Sequence, residues 1–420
     1  MSNIFMHAKQ LLIIGLVWPE PTSSAAGTRM IQLVDLFLAD GYQITFSSAA
    51  AKSDYSFVFS TKVKEEHIKL NDESFNTFVK ALAPTVVMFD RFMIEEQYGW
   101  RVQQECPNAL RILDTEDLHF LRRARTEANK KQLDFTPDQL YTTDAKREIA
   151  AILRCDLSLI ISEIEMKILL EQFKIDAALL FYLPFLESKI TDKTVAEWNL
   201  FNQRKDFMFI GNFLHEPNWK TVLTLKTEVW PQLSKLLPSA HLNIYGAYPT
   251  QKVFQLENKK ERIFVKGRAD DAKKTLSTHR VLLSPSKFGA GLKGKFIDAM
   301  QTGTPAITTS IGAEGMVGDL EWPGHIANDI EAFVKAAVAL YTDEEKWTIA
   351  QQKGRKVINE RYCADKFKTL FISYIDDLWH NLSKHRQANF IGQLLQHHTL
   401  QSSKYLSLWI EEKNKPKSGF

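Results

Sequence analysis

The stretch VLLSPSKFGAGLKGKFIDAMQTGTPAITTSIGAEGM, at residues 281–316, decides the fold. It opens with an apolar run typical of a buried strand, passes through a loop with Gly289 and Gly291, and continues as a helix. Glycines let backbone N–H groups approach phosphate oxygens, and a helix N-terminus adds a favourable dipole. Lys293 and Lys295 stand at the start of the helix, where they would neutralise a diphosphate. The stretch therefore predicts an anion site between a strand and a helix.

Two other interpretations of this loop are open at the sequence level. From Gly289 to Lys295 the sequence also fits G-x-x-x-x-G-K, a phosphate loop that lacks its last residue. Phe296 stands where such a loop needs Ser or Thr to hold Mg²⁺, and it has no ligand atom to offer. The other alternative is a surface glycine loop, because short motifs carry a real false-positive risk.

The rest of the chain repeats this strand–helix alternation in two halves. Apolar runs predict strands at 11–17, 43–47, 85–89, 109–113 and 157–161, and again at 207–210, 241–245, 263–265, 281–284 and 306–309. Apolar residues at helical spacing predict a helix over 28–40. This is the rhythm of an α/β fold with parallel sheets.

Length and a polar linker predict how the chain divides. Single cores stop growing at roughly 250–300 residues, so a chain of 420 residues is expected to form two domains. The polar segment 187–205 contains no convincing strand and is the predicted boundary. We expect one Rossmann-like domain over 1–190, a second over 191–375 and a helical tail over 376–420.

Composition argues against several functional classes. The formal net charge of +3 is too small to attract nucleic acid over a distance. Three widely spaced cysteines form neither a disulfide framework nor a paired zinc site. The adjacent His397 and His398 point apart on a helix and do not form a metal site. No apolar run approaches the ~20 residues of a membrane-spanning helix. We expect a cytoplasmic protein without a metal or a nucleic-acid partner.

Several segments together resemble one family. The run at 284–316 resembles the donor-binding segment of GT4-type, group 1 glycosyltransferases with an FGAGxKGK loop and a GAEG turn. PTSSAAGTRM at 21–30 resembles that family's first glycine loop, LDTEDLH at 113–119 its acceptor-side loop, and IGNFLHEPN at 210–218 the opening of its second domain. The resemblance implies two facing Rossmann-like domains, the GT-B architecture, with a nucleotide-sugar donor in the cleft. It also implies retention of anomeric configuration and no obligatory metal.

The chain departs from the family pattern at two positions. Members carry two glutamates separated by seven residues, the first on the donor sugar and the second on the ribose. The resemblance places Ala290 and Asp298 there. Asp298 can still accept hydrogen bonds from ribose hydroxyls, whereas Ala290 is neutral. Asn212 stands where many members have an arginine, so Lys293 and Lys295 are expected to take over the phosphate contacts.

Candidates in the first half lie where predicted strands end. Gly27 and Arg29 close the first loop, and Arg29 is predicted to contact the donor diphosphate, with a solvated arginine as the alternative. Asp117 and His119 follow the strand at 109–113, and the resemblance puts them over the sugar-transfer point as the predicted catalytic pair. A structural His–Asp pair that caps a helix is the alternative. Glu163 is expected either to lie near the cleft between the domains or, in the first turn of a helix, to interact favourably with the helix dipole.

The resemblance favours a retaining transferase of polysaccharide or glycoconjugate biosynthesis. The donor would be a UDP-, GDP-, ADP- or dTDP-sugar, and the acceptor a glycan or a lipid-linked molecule. Glu314 in GAEG would lie near the donor sugar and compensate for Ala290. One alternative is a nucleotide- or glycan-binding protein that has lost turnover. Another is a sugar-nucleotide epimerase, for which the sequence offers few suitably placed carboxylates.

The end of the chain suggests a further contact. Trp409, Lys413, Lys415 and Lys417 indicate weak attachment of the tail to a membrane surface, at about 1 kcal/mol per basic residue. The polar, short amphipathic character of the tail favours the alternative, in which it packs onto the first domain.

Overall fold

The computed structural model describes residues 9–414, apart from the side chains of 398–401. Lys415, Lys417 and the side chain of His398 therefore lie outside the described residues. The described chain forms two α/β domains followed by three helices.

The first domain is a sheet of seven parallel strands in the order β3-β2-β1-β4-β5-β6-β7. The strands are β1 (Gln10–Gly15), β2 (Gln43–Ser48), β3 (Val63–His67), β4 (Val86–Asp90), β5 (Leu110–Asp114), β6 (Leu157–Ile160) and β7 (Leu180–Tyr182). The helices are α1 (Ala25–Ala39), α2 (Ser74–Leu82), α3 (Phe92–Glu105), α4 (His119–Lys130), α5 (Thr143–Arg154) and α6 (Glu163–Lys167).

The second domain has six parallel strands in the order β10-β9-β8-β11-β12-β13. The strands are β8 (Lys205–Ile210), β9 (Leu242–Tyr245), β10 (Ile263–Gly267), β11 (His279–Ser284), β12 (Ala306–Thr308) and β13 (Gly324–Ile326). The helices are α7 (Asp192–Ala196), α8 (Glu216–Thr224), α9 (Trp230–Leu236), α10 (Gln251–Phe254), α11 (Ala272–Thr278), α12 (Gly294–Gln301), α13 (Ser310–Ala313), α14 (Ile330–Thr342) and α15 (Glu344–Val357).

Strand β1 shows why the apolar runs are unbroken. Leu11 and Ile13 enter a core that contains buried residues of α1, whereas Leu12 and Ile14 enter a second core on the opposite face of the sheet. Successive side chains of a strand point to opposite faces, so a strand covered on both sides must be apolar at every position. The run at 11–17 reads as a buried parallel strand for this reason.

The chain crosses between the domains twice, and the two crossings lie side by side. The Glu187 N–H donates to the Tyr362 carbonyl at 2.7 Å, and the Ala364 N–H donates to the Glu187 carbonyl at 2.9 Å. Helix α16 (Ala364–His380) then returns to the first domain, where Phe371 enters the same core as α1. The expected limit at residue 375 therefore falls inside one helix of the first domain's outer layer.

Two further helices, α17 (Leu382–Ala388) and α18 (Phe390–Asn414), pack along the first domain. Arg386 donates to both carboxylate oxygens of Asp156, at 2.7 and 2.8 Å. Arg101 of α3 donates to Ser407 of α18 at 3.1 Å and pairs with Glu411. These contacts make the tail a structural part of the first domain.

The predicted α/β architecture of two parallel sheets with a helical tail is confirmed. All ten predicted strands form, with ends that shift by one or two residues. Strands β3, β7 and β13 were missed. The edge strand β3 is VKEEH, which is largely polar, and β13 is GHI, so neither gives an apolar run. Strand β7, LFY, is apolar but has three residues, fewer than the four to eight expected of a strand.

Candidate active site at the domain cleft

The donor loop, residues 285–293, connects β11 to α12 and touches the first domain closely. Gly291 has φ of +61°, a conformation that favours glycine. A Cβ atom on Gly291 would lie 2.8 Å from the Asp117 Cβ, and one on Gly294 would lie 2.6 Å from the Ala25 Cβ. The glycines of this loop therefore permit close approach between the domains, a reason that the sequence alone did not reveal.

Lys293 and Lys295 both lie at the start of α12, Lys293 as its N-cap residue. The Lys293 ammonium donates to the Gly291 carbonyl at 2.9 Å, and that of Lys295 donates to Asn218 Oδ1 at 2.8 Å. Burial lowers the pKa of Lys293 to about 8. Burial and then repulsion from Lys293 lower the pKa of Lys295 to about 7. An anion bound near these ammonium groups would favour their charged forms.

Asp298 follows on the next turn of α12, facing α11. Its Oδ1 lies 3.8 Å from the Lys273 ammonium, which is also 3.6 Å from Glu187 Oε2. Burial raises the pKa of Asp298 to about 6 despite Lys273. A partly desolvated carboxyl with one distant ion pair retains free acceptor positions.

Arg125 of α4 reaches across the cleft and was missed from the sequence. It donates to the Gly289 carbonyl at 2.8 Å and to both carboxylate oxygens of Glu314, at 2.9 and 3.0 Å. Glu314 thus lies beside the donor loop, held by an arginine of the other domain. An arginine on a helix face gives no sequence signal for such a contact, since most charged residues there are solvated.

The acceptor loop, residues 115–118, lies opposite the donor loop at the end of β5. Arg122 donates to Asp117 Oδ2 at 2.7 Å, and His119 Nε2 lies 3.4 Å from Asp117 Oδ1. Burial raises the pKa of Asp117, but Arg122 and His119 outweigh it and the net pKa is lowered. Burial lowers the pKa of His119 to about 4. The pair at neutral pH is therefore a carboxylate and a neutral imidazole.

Three further carboxyl groups, two beside this loop and one within it, were also missed. Glu148 of α5 accepts from the N–H groups of His119 and Phe120, at 3.1 and 2.9 Å, and so caps α4. Glu165 of α6 accepts from the Leu118 and Gly291 N–H groups. Burial, and then the charge of Asp114, raise the pKa of Glu116 to about 8.

Gly27 and Arg29 take structural positions instead of facing the cleft. The Arg29 side chain is 1% exposed, pairs with Asp114 at 2.9 Å, and donates to the Leu183 carbonyl at 2.7 Å. A Cβ on Gly27 would lie 2.4 Å from the Glu20 backbone, so this glycine packs the loop onto itself. The sequence predicted that the Arg29 guanidinium contacts the donor diphosphate, but in the structure this buried ion pair holds it.

A second set of contacts joins the domains at the far end of the cleft. The Tyr248 hydroxyl donates to Glu20 at 2.6 Å, and Arg268 donates to Ser23 Oγ at 2.9 Å. The Arg268 guanidinium also stacks on the Tyr55 ring, 3.4 Å from its centroid. Glu163 lies outside this cleft, where it is half exposed and pairs with Arg361 at 2.7 Å.

Within residues 9–414, no group of three or more His, Cys, Asp or Glu side chains is arranged to hold a metal ion. No helix in the described part of the chain is both long and apolar enough to cross a membrane.

Comparisons with known proteins agree with this geometry. Residues 204–343 match the model of the family described as Glycosyl transferases group 1. No curated protein matches the chain.

Solved structures extend the likeness to both domains. Sucrose-phosphate synthase from Thermosynechococcus elongatus is 16% identical, with a TM-score of 0.68 over 89% of this chain and 99% of that one. HepE of Anabaena in complex with UDP is 10% identical, with a TM-score of 0.65 over 88% and 100%. WaaG, a glycosyltransferase involved in lipopolysaccharide biosynthesis, is 11% identical, with a TM-score of 0.59 over 86% and 99%. The protein has the GT-B fold, and residues 204–343 of its second domain match the model of the group 1 glycosyltransferases.

Proposed function

We propose that the protein is a GT4-type glycosyltransferase that transfers a sugar from a nucleoside-diphosphate sugar with retention of configuration and without a metal. The observation that carries the proposal is the pair Lys293 and Lys295 at the start of α12. Both are desolvated, both have lowered pKa values, and they lie across the cleft from the acceptor loop. The solved structure of HepE contains UDP, which supports a nucleoside diphosphate as the leaving group.

The charge of the leaving group explains why cations at the start of α12 would assist the reaction. As the glycosidic bond breaks, negative charge grows on the departing diphosphate, so Lys293, Lys295 and the N-terminus of α12 stabilise the transition state more than the ground state. Asp298 accepts from the ribose hydroxyls. No separate base is assigned, because the departing phosphate takes the proton of the acceptor.

The acceptor loop supplies the other side of the reaction. The imidazole of His119 is neutral at pH 7, so it serves as a hydrogen-bond partner of the transferred sugar. The adjacent Asp117 carboxylate stabilises positive charge at the anomeric carbon. Glu314, which Arg125 holds beside the donor loop, faces the donor sugar. We place the acceptor among glycans and lipid-linked glycans of cytoplasmic polysaccharide or glycoconjugate biosynthesis.

A thermal-shift screen with UDP, GDP, ADP and dTDP tests the site. One nucleotide should raise the melting temperature, because a ligand that binds only the native state stabilises it. Lys293→Ala/Lys295→Ala should abolish the shift, whereas Lys287→Ala, in the same loop but paired on the surface with Glu228, should retain it. No shift with any nucleotide at millimolar concentration would reduce the proposal to a fold assignment.

A binding protein without turnover is a second candidate, and one observation favours it. Ala290 packs against the hydrophobic core of the first domain, so this position offers no carboxylate to a donor sugar. Binding of a nucleotide sugar without release of the nucleoside diphosphate would identify this alternative.

We also propose weak attachment of the tail to a membrane surface. Helix α18 packs on the first domain through Gly392 and Ser407, which are buried. The helix also exposes seven large apolar side chains, most of them on the side away from this contact: Phe390, Ile391, Leu394, Tyr405, Leu406, Leu408 and Trp409. An amphipathic helix with aromatic and leucine residues on one face suits the boundary of lipid headgroups and acyl chains. Such a contact would bring the cleft near a lipid-linked acceptor.

A further inference from the structure

Glu165 occupies a position in the cleft that neither the sequence analysis nor the proposed chemistry explains. It belongs to α6 of the first domain, and its side chain is 1% exposed. Buried carboxyl groups are costly unless hydrogen bonds or opposite charges compensate them. The contacts of this group are therefore informative.

One oxygen of Glu165 joins the two loops that form the site. Oε1 accepts from the Leu118 N–H of the acceptor loop at 3.1 Å and from the Gly291 N–H of the donor loop at 2.9 Å. The second contact crosses between the domains, so any separation of the two loops would break it. The other oxygen, Oε2, has no hydrogen-bond partner within the described residues.

The surroundings favour the neutral form of this acid. Burial, and then the charge of Asp117, raise the pKa of Glu165 to about 8, although the two N–H groups and Lys293 act in the opposite direction. Glu148 adds a further carboxyl group on the same side. When the cleft opens and water reaches the carboxyl, its pKa should return toward the ordinary value of about 4.3.

We propose that Glu165 is a positioning residue that couples closure of the domains to the shape of the donor loop, and that it does so as the neutral acid. The assignment of the two loops rests on the proposed function, but the coupling itself does not. Closing the cleft then takes up one proton at any pH between the two pKa values. Closure is favoured fully below the open-state pKa and weakens as pH rises toward about 8.

Hydrogen exchange of the full chain without ligand tests this coupling. Peptides that cover 289–294 and 115–121 should lose protection together in Glu165→Ala, whereas a peptide over β9 should not change. In the wild type, protection at 289–294 should decrease between pH 6 and pH 8.5 after correction for chemical exchange. Glu165→Gln, whose amide oxygen still accepts both bonds but which does not ionise, should keep its protection at both pH values.

A matched control is Glu163→Gln, two residues away on the same helix but paired on the surface, which should behave as the wild type. Equal exchange at 289–294 in Glu165→Ala and the wild type would overturn the proposal, as would equal pH dependence in Glu165→Gln and the wild type. A repeat with UDP, GDP, ADP and dTDP separates the two proposals. If exchange behaves as expected but no nucleotide adds protection, the coupling stands and the donor assignment fails.

Discussion

The donor side of the cleft is basic, whereas the acceptor side is acidic. Lys293 and Lys295 lie at the start of one helix, with lowered pKa values. Across the cleft, carboxyl groups come from the ends of β4 and β5, from the acceptor loop and from α6: Asp90, Asp114 and Glu165, which are buried, and Glu116 and Asp117, which are partly buried. The two sides therefore differ in chemistry: two lysines with lowered pKa values lie opposite a group of carboxyls in which burial raises the pKa of Asp90, Glu116 and Glu165.

The variant with the largest expected effect removes a positive charge from the acidic side. Arg29 neutralises Asp114 inside the first domain, so Arg29→Ala leaves an unpaired buried carboxylate. We expect the free energy of unfolding of this domain to decrease by about 3–5 kcal/mol, measured by urea denaturation. The matched surface pair of the same domain is Arg147 with Glu96, and Arg147→Ala should cost about 0–1 kcal/mol. Equal losses in both variants would contradict a structural role for Arg29.

Titration of the basic side gives the next largest effect. A bound diphosphate requires protonated lysines, and the free protein holds Lys295 and Lys293 at pKa values of about 7 and 8. Nucleotide affinity should be highest below pH 7 and fall at least about tenfold by pH 9, where the phosphate charge no longer changes. Calorimetric titration at several pH values measures this. In Lys295→Ala the fall should begin about one unit higher, and an identical profile in both proteins would rule out Lys295 as the group that titrates.

Glu314 tests the contact between the two sides. Glu314→Gln keeps the shape but replaces a charged partner of Arg125 by a neutral amide, a difference of about 1 kcal/mol. We expect kcat/KM to fall roughly five- to tenfold while the melting temperature changes little. Unchanged turnover and donor affinity would remove Glu314 from the site.

The smallest effect concerns the tail. Tyr405→Ser/Trp409→Ser removes two exposed rings of α18 without touching its packed face. Co-sedimentation with vesicles that contain anionic lipid should decrease a few-fold, and activity toward a water-soluble acceptor should not change. Co-sedimentation equal to the wild type would exclude this face as the membrane contact.

The sequence predicted the fold and the position of two lysines at the start of a helix, for a local reason. Lys293, Lys295 and Asp298 belong to one strand–loop–helix unit, so their spacing along the chain fixes their place in space. The signals for β1 and β11 were equally local, because a strand buried on both faces is apolar throughout and can be recognised from its own residues. The polar edge strand β3 had no such signal.

The acidic side depended on contacts that a single sequence does not show. Arg125 meets Glu314 across 189 residues, and Glu165 meets Gly291 across 126 residues. Arg29 was expected at the cleft because its loop ends there, but Asp114, at the end of β5, binds it inward. The packing of α1 against the sheet decides whether the Arg29 side chain turns toward the cleft or toward Asp114.

The most direct test of the central claim is release of nucleoside diphosphate from a panel of UDP-, GDP-, ADP- and dTDP-sugars. The account predicts slow release from one donor class by the wild type, none by Lys293→Ala/Lys295→Ala, and unchanged release by Lys287→Ala. If the protein binds one of these donors but releases no nucleoside diphosphate, with or without glycan acceptors, it is a binding protein on the GT-B fold and the proposed transfer is wrong.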